Sequence, residues 1–163
     1  MTRSLPAFLF LAALLPAAAR PAVADITPVG AFAKISGPKN AKDGYQLLLW
    51  RDGSVLLGRL NVWQAGDRQT GDFLHGVADA KGIYFTVGMA AGDAAPDAKP
   101  LELGVKGNLV NDRFEGFLWW DAARARVNDE DAAEKISLPR DKAIALPAFK
   151  DVTEWKSTFE PRP

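Results

Sequence analysis

The sequence contains no cysteine and only one histidine, His75, among its 163 residues. Disulfides, thiol nucleophiles and zinc sites built from several cysteines or histidines are therefore excluded. No serine lies in a G-x-S-x-G turn, and no glycine-rich phosphate-binding motif is present. We interpret His75 as a surface or hydrogen-bonded side chain rather than as a general base.

An excess of charge of either sign is also missing, because 20 lysines and arginines balance 20 acidic residues. A nearly neutral chain with interspersed signs lacks the electrostatic pattern that binds nucleic acid or an anionic membrane. Beyond the N-terminal region, no apolar run is long enough to span a bilayer. We therefore expect no nucleic-acid partner and no integral membrane segment in the mature chain.

One long apolar stretch is present, at residues 5–19, and Pro6 and Pro16 interrupt it. Arg3 precedes the stretch, and Ala-Val-Ala at residues 22–24 fits the pattern that a signal peptidase cleaves. The stretch is short for a membrane span, which needs about 20 apolar residues. These features predict a cleaved export signal, with cleavage inside the preceding alanine run as the alternative.

A signal at residues 1–24 leaves residues 25–163 as the mature chain, which has 139 residues. That length is typical of one domain with its own core. Cleavage removes Arg3 and Arg20 and no acidic residue, so the formal net charge changes from 0 to −2. We expect a periplasmic or secreted protein without disulfides or a lipoprotein anchor.

Three pairs of strand-like runs begin at Tyr45, and each pair encloses a turn signal. The turns are predicted at residues 52–53, 79–82 and 111–112, and the first, Asp-Gly, favours a type I′ turn. In each pair, alternate residues on one face are apolar or glycine. The pattern predicts an all-β fold, a small antiparallel up-and-down barrel or strongly curled meander of about six to eight strands with a short C-terminal helix.

The predicted register of the first two pairs assigns the core side chains. A two-residue turn places Leu49 opposite Leu56 in the first pair. In the second pair, Leu74 and Val87 share the apolar face, whereas Phe73 lies on the opposite, mixed face. A loop at residues 90–100 separates the second pair from the third.

The third pair contains two adjacent tryptophans, which a strand directs to opposite faces. A turn at Asn-Asp places Leu109 opposite Phe114 and puts Leu118 and Trp120 on the same apolar face. Trp119 then lies on the other face. We expect Trp120 to be buried and Trp119 to be substantially less buried.

The ends of the chain are harder to interpret. Residues 29–35 predict one strand, and the charged residues 122–135 predict either a short helix or a loop. Residues 136–138 and 143–146 are typical of short edge strands. Residues 151–159 predict a helix, in which Asp and Glu have the spacing of a capping box and one face carries Val, Trp and Phe.

Acidic residues form two candidate sites. The segment 128–131, with Glu134, has the composition of a calcium site but lacks the spacing and the glycine of an EF-hand. Glu102 and Asp121 are predicted neighbours across the third pair, with Glu115 on the same face, and facing acids are what glycoside hydrolysis requires. A solvated charged turn and a solvated strand end are the favoured interpretations.

The aromatic residues on faces not assigned to the core are the stronger functional signal. Exposed aromatic patches mark ligand or partner sites, although the N-terminal strand and the C-terminal helix must cover some of them. The candidate binding residues are Trp50, Trp63, Tyr84, Lys106, Phe117 and Trp119.

We therefore expect an exported non-catalytic binding protein without a cofactor, for a small apolar ligand in a barrel mouth or a protein partner on an aromatic face. An envelope or assembly protein is the alternative, and an acid-based hydrolase or isomerase is the third. Residues 50–54, WRDGS, and 155–158, WKST, resemble stretches of the avidin and streptavidin family, exported eight-stranded barrels that bind biotin. The resemblance covers nine residues and implies a similar barrel architecture, and no ligand-binding residue is carried over from it.

Overall fold

The computed structural model describes residues 25–89 and 101–159, so the predicted signal and the predicted loop at 90–100 lie outside the described residues. Eight antiparallel strands form one sheet in which every strand pairs with its neighbours in the sequence. The strands are β1 (Ile26–Ser36), β2 (Asp43–Asp52), β3 (Val55–Gln64), β4 (Asp67–Asp79), β5 (Gly82–Met89), β6 (Leu101–Val110), β7 (Arg113–Trp119) and β8 (Glu134–Pro139). Two helices, α1 (Ala122–Arg126) and α2 (Val152–Phe159), and a short 3₁₀ turn (Glu130–Ala132) complete the described chain.

The sheet curls into a nearly closed barrel, which confirms the predicted fold class. A single bridge between Phe32 and Arg140 joins β1 to β8, and the Asp141 N–H donates to the Ala31 carbonyl at 2.8 Å. Apolar side chains from all eight strands fill the interior, among them Phe73 and Phe85, whose rings stack 3.9 Å apart.

The third hairpin has the predicted register. Leu109 pairs with Phe114 and Val105 pairs with Leu118. Asn111 and Asp112 form the two-residue turn with φ of 49° and 63°, as a type I′ turn requires. Asn and Asp tolerate this left-handed conformation better than other side chains, which explains why this turn signal was reliable.

The first hairpin forms as expected, but its turn lies one residue later than predicted. Asp52 pairs with Val55, so Gly53 and Ser54 occupy the turn, and Leu49 faces Gly58 rather than Leu56. Gly53 has a φ of 56°, whereas Ser54 is not in the positive-φ region. The register therefore differs by two residues, and because side chains alternate with a period of two, the predicted faces are preserved.

In the second hairpin, Ala78 pairs with Ile83 as predicted, but the face assignment further along β4 is wrong. The β3–β4 register shifts between Leu56 and Gly58, where β4 contains one extra residue. Such a bulge reverses the alternation beyond it. Phe73 consequently points into the barrel, and Leu74 packs on the outside.

The C-terminal segment covers the outer face of the first strands. α2 begins as predicted: the Asp151 carboxylate accepts from the Glu154 N–H, and the Glu154 carboxylate accepts from the N–H of Lys150. Trp155 is buried against Trp50, with ring centroids 5.8 Å apart. The helix thus closes a second apolar cluster, on the outside of the barrel wall.

Two of the short strands expected near the ends of the chain form, and one does not. Residues 29–35 lie within β1, and residues 136–138 lie within β8. Residues 143–146 form no strand, because Ile144 and Leu146 pack irregularly against the outer cluster instead of pairing with a sheet edge. The expected edge strand at 143–146 was therefore wrong.

Candidate functional site

Two of the predicted binding residues, Trp50 and Trp119, are fully buried, so they do not form an exposed aromatic surface. The Trp50 indole donates to the Pro147 carbonyl at 2.8 Å beneath the C-terminal segment. The Trp119 indole donates to the Asp129 carbonyl at 2.7 Å, and α1 contacts its strand. The expectation that Trp119 is less buried than the partly buried Trp120 was therefore wrong.

Three other predicted residues, Tyr84, Lys106 and Phe117, are cross-strand neighbours in one row on the outside of β5, β6 and β7. Lys106 Nζ donates to the Asn128 side chain at 2.8 Å. The Tyr84 hydroxyl is buried without a hydrogen-bond partner among the described residues. A shallow depression of about 310 Å³ lies beside this row, next to Arg126.

Trp63 lies elsewhere, at the end of the barrel where β1 and β8 separate. These strands pair only at Phe32 and Arg140, and they diverge toward Ser36 and Glu134. The opening is a cleft of about 340 Å³, which we call the mouth cleft. Its lining residues are Lys34, Ser36, Asp43, Gly44, Tyr45, Trp63, Gln64, Glu134, Lys135, Ile136, Ser137 and Leu138.

A hydrogen bond spans the inside of the mouth cleft. The Tyr45 hydroxyl, from β2, donates to the Glu134 carboxylate, at the start of β8, at 2.5 Å. Burial, and then the hydrogen bond and negative charge of Glu134, raise the pKa of Tyr45 well above its usual value. Tyr45 therefore stays protonated and remains a hydrogen-bond donor throughout the physiological pH range.

The walls of the mouth cleft are polar and its floor is apolar. Lys34 lies opposite Tyr45 on β1, and the Asp43 carboxylate accepts from the Ala65 N–H at 2.9 Å. Ile136 and Leu138 line the cleft from β8, and both are buried members of the interior cluster. An apolar floor with a few convergent polar groups is the usual composition of a ligand site.

Arg140 closes the other end of the gap between β1 and β8. Its guanidinium donates to the Val29 carbonyl at 3.0 Å and to the Asp112 carboxylate, and it lies 5.0 Å from the centre of the Phe32 ring. A side chain at Gly30 would collide with this guanidinium. The contacts fix the two strands at this point. A second depression, of about 320 Å³, lies beside Arg140 and is separate from the mouth cleft.

The predicted acidic sites do not form a catalytic pair. Glu102 lies 3.8 Å from Arg126, and Asp121 caps α1 by accepting from the Ala123 N–H at 2.8 Å. Glu115 accepts from Arg113 at 2.9 Å. Each carboxylate therefore has a partner of its own, and the three do not face a common cleft.

Within residues 25–89 and 101–159, no three histidine, aspartate or glutamate side chains are arranged to hold a metal ion. In the segment considered for calcium, Asp129 pairs with Arg124 at 3.4 Å, and Glu130 accepts from Asn128 at 2.9 Å. His75 is exposed on β4. Neither described helix is long and apolar enough to cross a membrane.

Comparisons of the chain with protein-family models, with curated proteins and with solved structures find no match. The resemblance to the avidin family thus remains confined to two short segments. The first forms the β2–β3 hairpin, whereas residues 155–158 lie in α2, outside the barrel wall.

Of the mouth cleft, sequence analysis identified only Trp63. Glu134 was considered only for a calcium site. Its contact with Tyr45 was missed, because the two residues are 89 positions apart and meet only when the barrel curls. Sequence analysis also missed Lys34, because the strand that carries this lysine pairs with β8 at a single position. One signal was available: a tyrosine on a face otherwise made of leucine and glycine has a hydroxyl that needs a partner.

Proposed function

We propose that the protein is an exported, non-catalytic binding protein and that its ligand occupies the mouth cleft. The observation that carries this proposal is the incomplete closure of the barrel at one end, where a cleft of about 340 Å³ is lined by residues of β1, β2, β3 and β8. Ligand pockets generally begin at about 300 Å³ and combine apolar walls with a few polar groups. The mouth cleft meets both conditions.

The ligand that fits is amphipathic. Ile136 and Leu138 offer an apolar floor, while the hydroxyl of Tyr45 and the charged groups of Lys34 and Glu134 lie above it. The barrel interior is filled with side chains, so a ligand that enters the barrel has room at its mouth rather than in its core. Of the two binding modes expected from the sequence, this supports a ligand in the barrel mouth rather than a protein partner on an aromatic face that includes Trp50 and Trp119.

A non-catalytic role is supported by the arrangement of the polar groups. The pKa of Tyr45 is raised rather than lowered, so its hydroxyl is a poor nucleophile and a poor base at neutral pH. The single histidine lies on β4, outside the mouth cleft. The cleft groups are suited to hydrogen bonding and orientation.

The test uses an amphipathic probe, 8-anilinonaphthalene-1-sulfonate, whose fluorescence rises when it binds to apolar surface. Ser36 is exposed at the mouth, so Ser36→Trp fills the cleft from its rim, whereas Ser157→Trp places the same side chain on the exposed face of α2. We expect saturable binding of one probe per chain by the wild type and by Ser157→Trp, and its loss in Ser36→Trp.

Equal binding by all three proteins would place the probe outside the mouth cleft, and an absence of binding by the wild type would contradict an amphipathic site. Native mass spectrometry of protein exported by its producing cell gives a second measurement. A bound species should be present on the wild type and absent from Ser36→Trp.

A further inference from the structure

The two walls of the mouth cleft are strand edges that lack a neighbouring strand. β1 extends to Ser36 and pairs with β2 as far as Asp43, and β8 begins at Glu134 and pairs with β7 from that residue onward. Between the walls, pairing stops at Phe32 and Arg140. If the barrel were fully closed, the same register would place Lys34 opposite Leu138 and Ser36 opposite Ile136.

The hydrogen-bonding pattern shows which main-chain groups face the gap. The Asp141 N–H bonds across the gap to Ala31, whereas the Arg140 N–H bonds in the opposite direction, to Asp112. Main-chain groups alternate in direction along an antiparallel strand. The N–H and C=O groups of Ile35 on β1, and those of Lys135 on β8, therefore point into the opening.

The geometry points to an extended polypeptide segment as the ligand, bound by main-chain pairing with the open strand edges of the mouth cleft. This inference rests on the proposed function. Such pairing is β-strand addition, in which main-chain hydrogen bonds supply affinity and alternate side chains supply specificity. The segment inserts beside Ile35 or Lys135 and continues the sheet where the barrel itself does not.

The composition of the cleft defines the side chains of this segment. Residues that alternate along the inserted strand point either into the barrel mouth or out to solvent. Those that point inward meet Ile136 and Leu138, so they are apolar. Those that point outward are polar. A segment of alternating apolar and polar residues, with its main chain extended, therefore fits the cleft.

The lysines on the two edges disfavour pairing between copies of the chain. Lys34 lies on β1 and Lys135 on β8, and both are exposed. Charged residues on strand edges, lysine above all, disfavour indiscriminate edge-to-edge association. Pairing between the edges of two copies would bring their lysines close together, and the like charges would repel. A segment of another polypeptide that lacks lysine would not experience this repulsion.

The experiment uses a capped peptide of alternating valine and threonine with a glutamate at each end, measured against full-length mature protein by titration calorimetry. Two matched controls are the same peptide with N-methylated valines and the same peptide with N-methylated threonines. Each keeps the side chains but removes the main-chain donors along one edge of the extended peptide, because N–H groups alternate in direction along a strand. Each lost hydrogen bond weakens binding about 2- to 10-fold. We expect binding of the unmodified peptide and a loss of about 10-fold or more in at least one of the two methylated peptides.

Variants of the protein identify the wall that pairs. Ile35→Pro and Lys135→Pro each remove one N–H that faces the gap, and proline is tolerated at open strand edges. Ile35→Ala and Lys135→Ala remove the same side chains but keep the N–H. We expect at least one proline variant to bind the peptide about 3- to 10-fold more weakly than its alanine counterpart.

Equal affinity for the unmodified peptide and for both methylated peptides overturns the inference. This comparison needs only the wild-type protein, so it holds even if a proline variant does not fold. Binding of the fluorescent probe without binding of the peptide also overturns the inference but leaves the proposed function intact. Failure of both ligands to bind contradicts the proposed function as well.

Discussion

Replacement of Trp119 by alanine should destabilise the protein strongly, and more than the same replacement of Trp120. Trp119 is 0% exposed, and its indole N–H bonds to the Asp129 carbonyl at 2.7 Å. Truncation of a fully buried tryptophan typically costs about 3–5 kcal/mol. Trp120 is only partly buried against the interior cluster, so we expect Trp120→Ala to cost about 1–2 kcal/mol.

The indole hydrogen bond can be separated from the packing with Trp119→Phe. Phenylalanine keeps most of the buried aromatic area but has no N–H, which leaves the Asp129 carbonyl without its donor. We expect a cost of about 1–2 kcal/mol for this change. The free energies of unfolding should therefore rank wild type above Trp119→Phe and Trp119→Phe above Trp119→Ala.

Urea titrations followed by circular dichroism at 25 °C measure these free energies, and thermal melts give a second readout. For a domain of this size, Trp119→Ala should lower Tm by roughly 10–20 °C. The free energy of unfolding of Trp119→Ala could instead lie within about 1 kcal/mol of the wild-type value, or Trp120→Ala could be the more destabilising of the two changes. Either result would show that the segment around α1 does not cover Trp119 as described.

Four further predictions follow from the turns, the helix contact, one ion pair and the N-terminus. Gly53→Val should cost about 1–3 kcal/mol, because φ at this position is 56°, whereas Gly53→Asn should be nearly neutral in the same urea titration. Gly104→Ala should lower Tm and displace α1, since an added Cβ would lie 2.2 Å from the Ala125 Cβ. A hydrogen bond from an arginine lowers the pKa of Asp112, so its stabilisation is present above the unfolded-state pKa and is lost as pH falls through the lower folded-state pKa. The stability difference between the wild type and Asp112→Asn should therefore shrink below about pH 4, and a difference that stays constant from pH 6 to about pH 2 would contradict this linkage. Mature protein from the periplasm or the medium should begin near Asp25 when its N-terminus is sequenced, and an intact signal on the abundant form would argue against export.

The parts of the fold that local chemistry determines could be predicted from the sequence. The third hairpin was correct from the turn as far as the pair of Gly104 with Trp119, because Asn111 and Asp112 accept the left-handed conformation of a type I′ turn. The first hairpin retained its faces because its error was an even number of residues. The bulge in β4 has no comparable signal, and it moved Phe73 from the predicted outer face into the core.

The alternation of side chains along a strand could not predict which segments pack on the outside of the barrel. Alternation correctly placed Trp119 and Trp120 on opposite faces, but it carries no information about what lies over each face. The chain continues directly from β7 into α1, and Gly104 allows Ala125 to approach the sheet closely. Trp119 is therefore buried by residues that follow it within ten positions.

The mouth cleft exists because the first and last strands of the barrel do not pair along their whole length, and such pairing depends on residues far apart in the sequence. Whether the first and last strands meet is set by the accumulated curl of the whole sheet. No pattern near Lys34 or Glu134 records that their strands stay apart. The sequence can predict which side chains face inward along each strand, but not which of them lie at an opening.

The pairing of Ile26 with Phe149 has a consequence for the order in which the chain acquires its structure. The main-chain groups of these residues bond to each other in both directions, at 3.1 and 3.0 Å. Hairpins formed by neighbouring strands can assemble while synthesis continues, since their contacts are close in the sequence. The first residue of β1, in contrast, can pair only after the segment that precedes α2 has been synthesised. Until then, Trp50 is not covered by that segment and α2. The outer cluster is therefore completed only once the segment around Phe149 has been made, and a chain that stops short of Phe149 leaves Trp50 exposed as a site that quality-control machinery can recognise.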